Sequence, residues 1–230
     1  MDAYLFTSLD MATKWLDKKL IAQKGKIKEV MVGASTFKPM DASSAKSITQ
    51  TKGEPVFLFV GRVDDNKDPI TLIKGFALHL ASHPTATLYI IFQNEEKRVE
   101  LESVIKQLSV QDRIHLLGKL AHNDLQAWYS SVDFIVSTSH AEAFGMAVAE
   151  AMSCGCFPIV TNIPSFRKLT DNGNFGILFE PGNAGQLTAA LEKAAKLNLD
   201  VEREKILTYY NTHLSAEAIA EQICQAANSL

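Results

Sequence analysis

The sequence predicts an α/β protein built on a doubly wound parallel sheet, and three observations carry that prediction. From residue 55 onward, short apolar runs alternate with stretches of helical spacing. Most of those runs are apolar throughout rather than alternating, as parallel strands buried on both faces must be. The composition, 47% hydrophobic and 21% charged over 230 residues, can fill the core such a sheet needs.

Six strands are expected, at residues 56–60, 87–92, 113–117, 133–137, 157–161 and 175–179. Helical stretches separate them, for example residues 69–81 and 95–108, and a last helix is expected over 215–228. In sheets of this kind ligands bind at the carboxyl ends of the strands, so the loops after Val60, Phe92, Leu117 and Ser137 are where chemistry is expected. The first 40 residues read differently. Met11, Ala12, Trp15, Leu16 and Leu20 fall at helical spacing with Ser8 as a candidate cap, and residues 27–32 read as a strand. One helix and one strand cannot make a core, so residues 1–39 are expected to be the tail of a second domain. Residues 40–54, small and polar, read as a linker, and residues 55–230 as the main domain.

With 23 basic and 26 acidic residues the formal charge is −3, which argues against a dedicated nucleic-acid binder. Apolar runs fall well short of the roughly 20 residues of a membrane-spanning helix. The first residues lack a basic segment followed by an apolar stretch, so no signal peptide is expected. Cys154, Cys156 and Cys224 are few and odd in number, which fits a reducing compartment better than a disulfide framework. A cytoplasmic chain is expected, with peripheral contact to a membrane left open. Cys154 and Cys156 have no second Cys/His pair nearby to complete a metal site, and no metal is expected.

Two segments carry residues suited to chemistry. In the first, Gly61, Arg62, Val63, Asp64, Asp65, Asn66, Lys67 and Asp68, the glycine allows a tight exit from a strand and two cations flank one loop. Arg supplies a planar fork and Lys a point charge, a pair suited to a diphosphate. The same cations could instead pair with Asp64, Asp65 and Asp68 on a solvated surface. The second runs from Ser137 to Gly155 and contains Glu142, Phe144, Gly145, Met146 and Glu150. After Gly145 it enters a helix apolar on nearly every side, which must be buried. Glu150 lies in that helix and needs a partner, an Arg or Lys or the hydroxyls of a ligand. The free N–H groups around Phe144, Gly145 and Met146 open the helix and make its N-terminus an anion site. His79, His83, His115, His122 and His213 read as surface or packing residues, whereas His140, two residues before Glu142, is within reach of the site.

Taken in order, these segments resemble the group 1 glycosyltransferases, retaining enzymes built of two Rossmann-like halves, the GT-B fold. Gly61-Arg62 with Lys67 resembles the family's G-R-x-x-x-x-K diphosphate loop. Glu142 and Glu150, with seven residues between them, resemble its E-x7-E motif, and the stretch from Glu150 to Val160 follows the E-A-M-A-x-G-x-P-V-V pattern. Residues 114–120 resemble the strand and loop beside the nucleotide base, and residues 33–39 the junction before the donor-binding half.

The resemblance implies the C-terminal half of a GT-B enzyme, with a UDP- or GDP-linked sugar as donor and no cofactor. Gly61, Arg62 and Lys67 would hold the diphosphate, with the backbone of Phe144, Gly145 and Met146 on the same group. Glu150 would bind the ribose hydroxyls and Glu142 would face the donor sugar. Lys119 and Leu120 would touch the base through their main chain. Glu142, Arg62 and Lys67 would carry catalysis without a divalent metal, protein cations stabilising the leaving group. The acceptor, a glycan, a lipid-linked sugar or a small molecule, would be bound by an N-terminal half absent from residues 1–39. A nucleotide-sugar-binding module and a sugar-nucleotide 2-epimerase are the rival readings. Three positions depart from the family pattern: Asp68 and Ala143 stand where glycines are common, and the loop after the second strand, Ile91-Phe92-Gln93-Asn94, has no G-x-G turn. Lys168 falls near a common Glu.

Overall fold

The structure is a computed structural model and describes residues 4–7, 9–21, 27–31 and 34–228. The first strand, β1 (Tyr4–Phe6), pairs in parallel with β2 (Ile27–Glu29), and helix α1 (Leu9–Asp17) connects them. Ala12, Ile21 and Ile27 form a small core of their own, with Tyr4, Phe6 and Leu16 against it. The helix and the strand expected here are present, but β1 was not read from the sequence, because three residues are too few to show a period. The candidate cap Ser8, and Val32 and Gly33 at the end of the expected strand, lie outside the described residues.

The stretch read as a linker contains a helix, α2 (Ala42–Thr49). Its start is fixed by Asp41, whose Oδ1 accepts from the Ser44 N–H at 2.9 Å and the Ser43 hydroxyl at 2.6 Å. Those hydrogen bonds, the Ser43 hydroxyl foremost, hold the Asp41 carboxyl down at about 2. Ala45 is the one side chain the helix buries, so the apolar spacing that marks a helix is missing and its small polar residues read as a linker.

The main domain runs β3 (Val56–Gly61), α3 (Pro69–His79), β4 (Thr87–Phe92), α4 (Arg98–Gln107), β5 (Ile114–Gly118), a 3-10 turn (His122–Asp124), α5 (Leu125–Ser131) and β6 (Phe134–Ser137). It continues through α6 (Met146–Ser153), β7 (Phe157–Thr161), α7 (Pro164–Leu169), β8 (Ile177–Phe179), α8 (Ala184–Ala194), α9 (Leu199–His213) and α10 (Ala216–Asn228). The six strands lie in the order β5-β4-β3-β6-β7-β8, all parallel, as the uninterrupted apolar runs require. All of β4, β6 and β7 is buried. At the centre Phe57 faces Phe134 in register, their rings stacked at 5.1 Å.

Chain order reverses between β3 and β6. From β3 the chain builds outward through β4 and β5, then returns to place β6 on the other side. Adjacent loops diverge at such a point and leave a crevice at the carboxyl ends of the strands. The segments after β3 and β6, singled out in the sequence, open on that crevice. No helix among the described residues is long and apolar enough to cross a membrane.

Candidate functional site

The loop leaving β3 is closed by Asp64. Its Oδ1 accepts from the Lys67 N–H at 2.9 Å, and its carbonyl accepts from the Asp68 N–H at 3.0 Å. Asp68 takes a left-handed conformation, φ 45°, and its Oδ1 accepts from Thr71 N at 3.1 Å to start α3. This explains the glycine common there in the resemblance: the backbone is left-handed, and Asp is tolerated because it caps the helix. From the neighbouring strand Asn94 accepts the Val63 N–H at 2.9 Å, so a side chain braces the loop from a turn that lacks G-x-G. Gly61 has no left-handed φ, and a Cβ there would lie 3.4 Å from Phe59 Cζ and 3.6 Å from Lys67 Cε. The tight exit read from this glycine is therefore not a conformational need. Its bare face leaves room beside Lys67.

The loop leaving β6 is stitched to the first. Asn66 donates to the Ala141 carbonyl at 3.0 Å and accepts from the Ala141 N–H at 3.1 Å, while the His140 N–H donates to the Asn66 carbonyl at 2.7 Å. The Thr138 hydroxyl donates to the Lys67 carbonyl at 2.6 Å. So held, Lys67 Nζ forms an ion pair with Glu142 Oε1, to which the Ser139 hydroxyl also donates at 2.8 Å. The two side chains are 19% and 15% exposed, so solvent screens the pair only in part. Arg62 lies apart from it: its Nη2 reaches Asp64 Oδ2 at 2.9 Å with the side chain 64% exposed. The surface pairing weighed for these cations thus holds for Arg62 and not for Lys67.

Gly145 is the cap residue of α6, at φ 98°, and an ideal Cβ on it would lie 2.5 Å from Phe166 Cε1. Ala143 has no left-handed φ, so alanine in place of glycine there carries no strain. Past Gly145 the first amides of α6, Met146 and Ala147, have no carbonyl within the helix to bond. Lys67, Ser137, Glu142, Gly145 and Met146 are among the residues lining a cavity of about 20 Å³ at this point. A wider cleft of about 890 Å³ lies between Glu29 and Met31 on one side and Arg167, Lys168, Tyr209 and His213 on the other. Lys168 pairs with Glu29 across it at 3.0 Å.

Glu150 is 8% exposed, and its partner is neither Arg nor Lys. Oε1 lies 2.9 Å from His122 Nε2, and Oε2 accepts from the Tyr129 hydroxyl at 3.1 Å. Burial, and then the nearby carboxylate, push the Tyr129 phenol far above its ordinary value, so it stays a donor. His122 packs against Phe37 with ring centres 4.8 Å apart and planes tilted by 31°. It is an exposed residue packed on that ring, as expected of the scattered histidines, and from its place just after β5 it also reaches the buried Glu150. His140 pairs with Asp68 at 3.2 Å and not with Glu142. Lys119 and Leu120 follow β5, two strands and about 10 Å across the sheet from β3.

Cys154 and Cys156 are buried free thiols whose ionisation burial opposes, in keeping with packing residues.

A six-stranded parallel sheet whose order reverses at β3 and β6, with Lys67 and the open N-terminus of α6 meeting there, has the architecture of one half of a GT-B fold. The chain belongs to the group 1 glycosyltransferases, whose family model matches residues 41–213. It is similar to the D-inositol 3-phosphate glycosyltransferase of Pseudarthrobacter chlorophenolicus, 27% identical over 138 residues, covering 59% of this chain and 33% of that relative. Among solved structures, HepE of Anabaena in complex with UDP matches with a TM-score of 0.83 at 20% identity, over 99% of this chain and 64% of that one. The C-terminal domain of the group 1 protein LpcC from Francisella tularensis matches with a TM-score of 0.70 at 24% identity, over 80% of this chain and 99% of that domain. The chain thus spans about a third of the length of that curated relative.

Proposed function

We propose that the chain supplies the donor-binding half of a retaining, metal-independent glycosyltransferase, which moves a sugar from a UDP- or GDP-linked donor to an acceptor hydroxyl. The carrying observation is the meeting of Lys67 and the α6 N-terminus at the reversal point of the sheet. In the reaction the bond from the anomeric carbon to the diphosphate oxygen breaks, a bond to the acceptor oxygen forms, and the acceptor hydroxyl's proton passes to the departing diphosphate. Charge grows on the leaving diphosphate. Lys67 exchanges the Glu142 carboxylate for that phosphate, Arg62 swings in from Asp64, and the amides of Gly145 and Met146 point at the same anion. Glu142, released, faces the donor sugar. Glu150, oriented by Tyr129 and His122, takes the ribose diol, and the main chain at Lys119 and Leu120 takes the base. Catalysis with no cofactor and no divalent metal follows from protein cations doing this electrostatic work. Relatives that bind UDP support a nucleotide donor, and the acceptor falls to a half not among these residues. A cytoplasmic site of action, at the membrane face when the acceptor is lipid-linked, goes with this reading.

A second reading is a module that binds nucleotide-sugar without transferring it, for which the meeting of Lys67 and the α6 N-terminus would suffice. A sugar-nucleotide 2-epimerase ranks below both and would be told apart by an epimerised product. The test is calorimetric titration of the 230-residue chain with UDP and GDP, beside an Arg62→Ala/Lys67→Ala variant. One nucleotide should bind the parent, and the variant should bind it at least about tenfold more weakly, since a charge-assisted contact is worth roughly 1.5–3 kcal/mol. Equal affinity in the variant, or no binding of either nucleotide at millimolar concentration, would overturn the assignment. Binding without release or transfer of sugar favours the module.

A further inference from the structure

At the end of α3 farthest from the nucleotide crevice, three side chains converge that the function above does not use. We propose that His79, His83 and Glu192 form a binding site for a divalent transition-metal ion of the zinc class, clamping α3 to α8.

The sequence sets up the site through spacing. His79 ends α3 and His83 follows four residues later, the turn between them kept by the His83 N–H donating to the His79 carbonyl at 3.1 Å. Glu192 comes from the last turn of α8. That helix lies close against α3 because Gly75 leaves no Cβ in the way: one placed there would sit 2.7 Å from Leu187 Cδ2. The Thr188 hydroxyl donates to the Gly75 carbonyl at 3.0 Å and fixes the register.

The donor atoms are already gathered. Glu192 Oε1 lies 2.8 Å from His79 Nδ1 and 3.4 Å from His83 Nδ1, and the three residues' ligand atoms all fall within 4.8 Å of one another. Around a zinc ion with bonds of about 2.0–2.1 Å, tetrahedral ligands sit roughly 3.3 Å apart. The two Glu–His separations bracket that value. The rings of His79 and His83 are stacked at 4.4 Å and 15°, and an ion must lie in the plane of each ring. Binding therefore requires the His83 ring, 26% exposed and on a turn, to rotate out of the stack. Glu192 is 30% exposed, so water can take the fourth position, whereas His79 is fully buried.

The chemistry suits a cation. Two neutral imidazoles and one carboxylate are a ligand set for zinc-class ions. Both α3 and α8 end here, and their C-terminal carbonyls favour positive charge. Metal on Nδ1 puts the His79 proton on Nε2, a buried atom without a hydrogen-bond partner in a ring that meets Phe57 edge-to-face at 5.5 Å. Ser82, whose hydroxyl donates to Glu192 Oε1, would release that oxygen or bind its partner oxygen. The 11 residues of α3 put the ion about 16 Å from the Lys67 loop, so its role is to brace the helix rather than to act on substrate.

The test is titration of the chelator-treated 230-residue chain with Zn²⁺ by calorimetry, and with Co²⁺ by visible absorption. One ion per chain is expected, with the intense visible bands of tetrahedral cobalt and a higher melting temperature. His83→Ala and Glu192→Gln, both at partly exposed positions, should each weaken binding at least roughly tenfold. The buried His79 is left intact so that loss of the fold cannot imitate loss of the site. Absence of stoichiometric binding, or both variants binding as the parent does, would overturn the proposal and leave a hydrogen-bonded cluster only.

Discussion

Lys67 and Glu142 stand 75 residues apart in the chain and form an ion pair at the reversal point of the sheet, each largely shielded from water. In the proposed function the pair holds the lysine until the donor diphosphate displaces the carboxylate. Lys67→Ala should weaken UDP or GDP binding at least about tenfold. Glu142→Gln removes the competing carboxylate, so nucleotide should bind that variant as tightly as the parent or more tightly. Titrating both variants beside the parent checks the order, and a Glu142→Gln loss as large as that of Lys67→Ala would show the pair to be purely structural.

Gly145 is the position least able to accept a side chain in this site. Gly145→Ala places a Cβ in left-handed backbone and against Phe166. The backbone strain costs roughly 1–2 kcal/mol, and the overlap roughly 1–3 more unless the ring shifts. Denaturant unfolding should show a lower midpoint with an unchanged slope. A Phe166→Leu change added to it should recover part of the loss, since the clash and not the φ is what it relieves.

Tyr129 and His122 hold Glu150 from two sides. Tyr129→Phe leaves a buried carboxylate oxygen without a donor and should cost about 1–3 kcal/mol of stability. His122→Ala, at an exposed ring, should leave stability within about 1 kcal/mol of the parent. Its effect should fall on the ligand: discrimination between UDP and its 2′,3′-dideoxy analogue should shrink. Equal discrimination in parent and variant would separate His122 from ribose binding.

Tyr209 gives a pH signature. Burial, with Asp171 adding to it, pushes its phenol up to about 12 from 10.0. Between those values the folded chain keeps a proton that the unfolded chain has lost, so stability falls as pH rises. The contribution is complete below pH 10 and lost by pH 12, about 2–3 kcal/mol in all. Tyr209→Phe cannot ionise, so its stability relative to the parent should rise across that window and not below it. Urea unfolding at several pH values reads the difference directly.

How much of this was legible beforehand depended on how far each relationship reaches along the chain. The six strands were found within one or two residues of their ends because burial on both faces writes itself as an unbroken apolar run. The β5 strand begins at Ile114 rather than 113, and β8 at Ile177 rather than 175, where the tight turn through Gly173 keeps Phe175 out of the sheet. Both site loops were legible because their residues are local: two cations five apart, two glutamates eight apart. By contrast α2 was missed as a helix, since its signal is a cap and not a stripe.

The sequence by itself determined a doubly wound parallel sheet, the two loops that open on its crevice, and the need of a buried Glu150 for a partner. Tertiary structure alone decided the pairings. Tyr129 and His122, not an Arg or Lys, answer Glu150. Lys67 turns inward to Glu142 while Arg62 stays at the surface, and Asn66 locks one loop to the other. The physical reason is that period and composition are set by each residue's immediate surroundings. A hydrogen bond between loops is set by where strand order places their ends, and β3 and β6 become neighbours only when the whole sheet has closed.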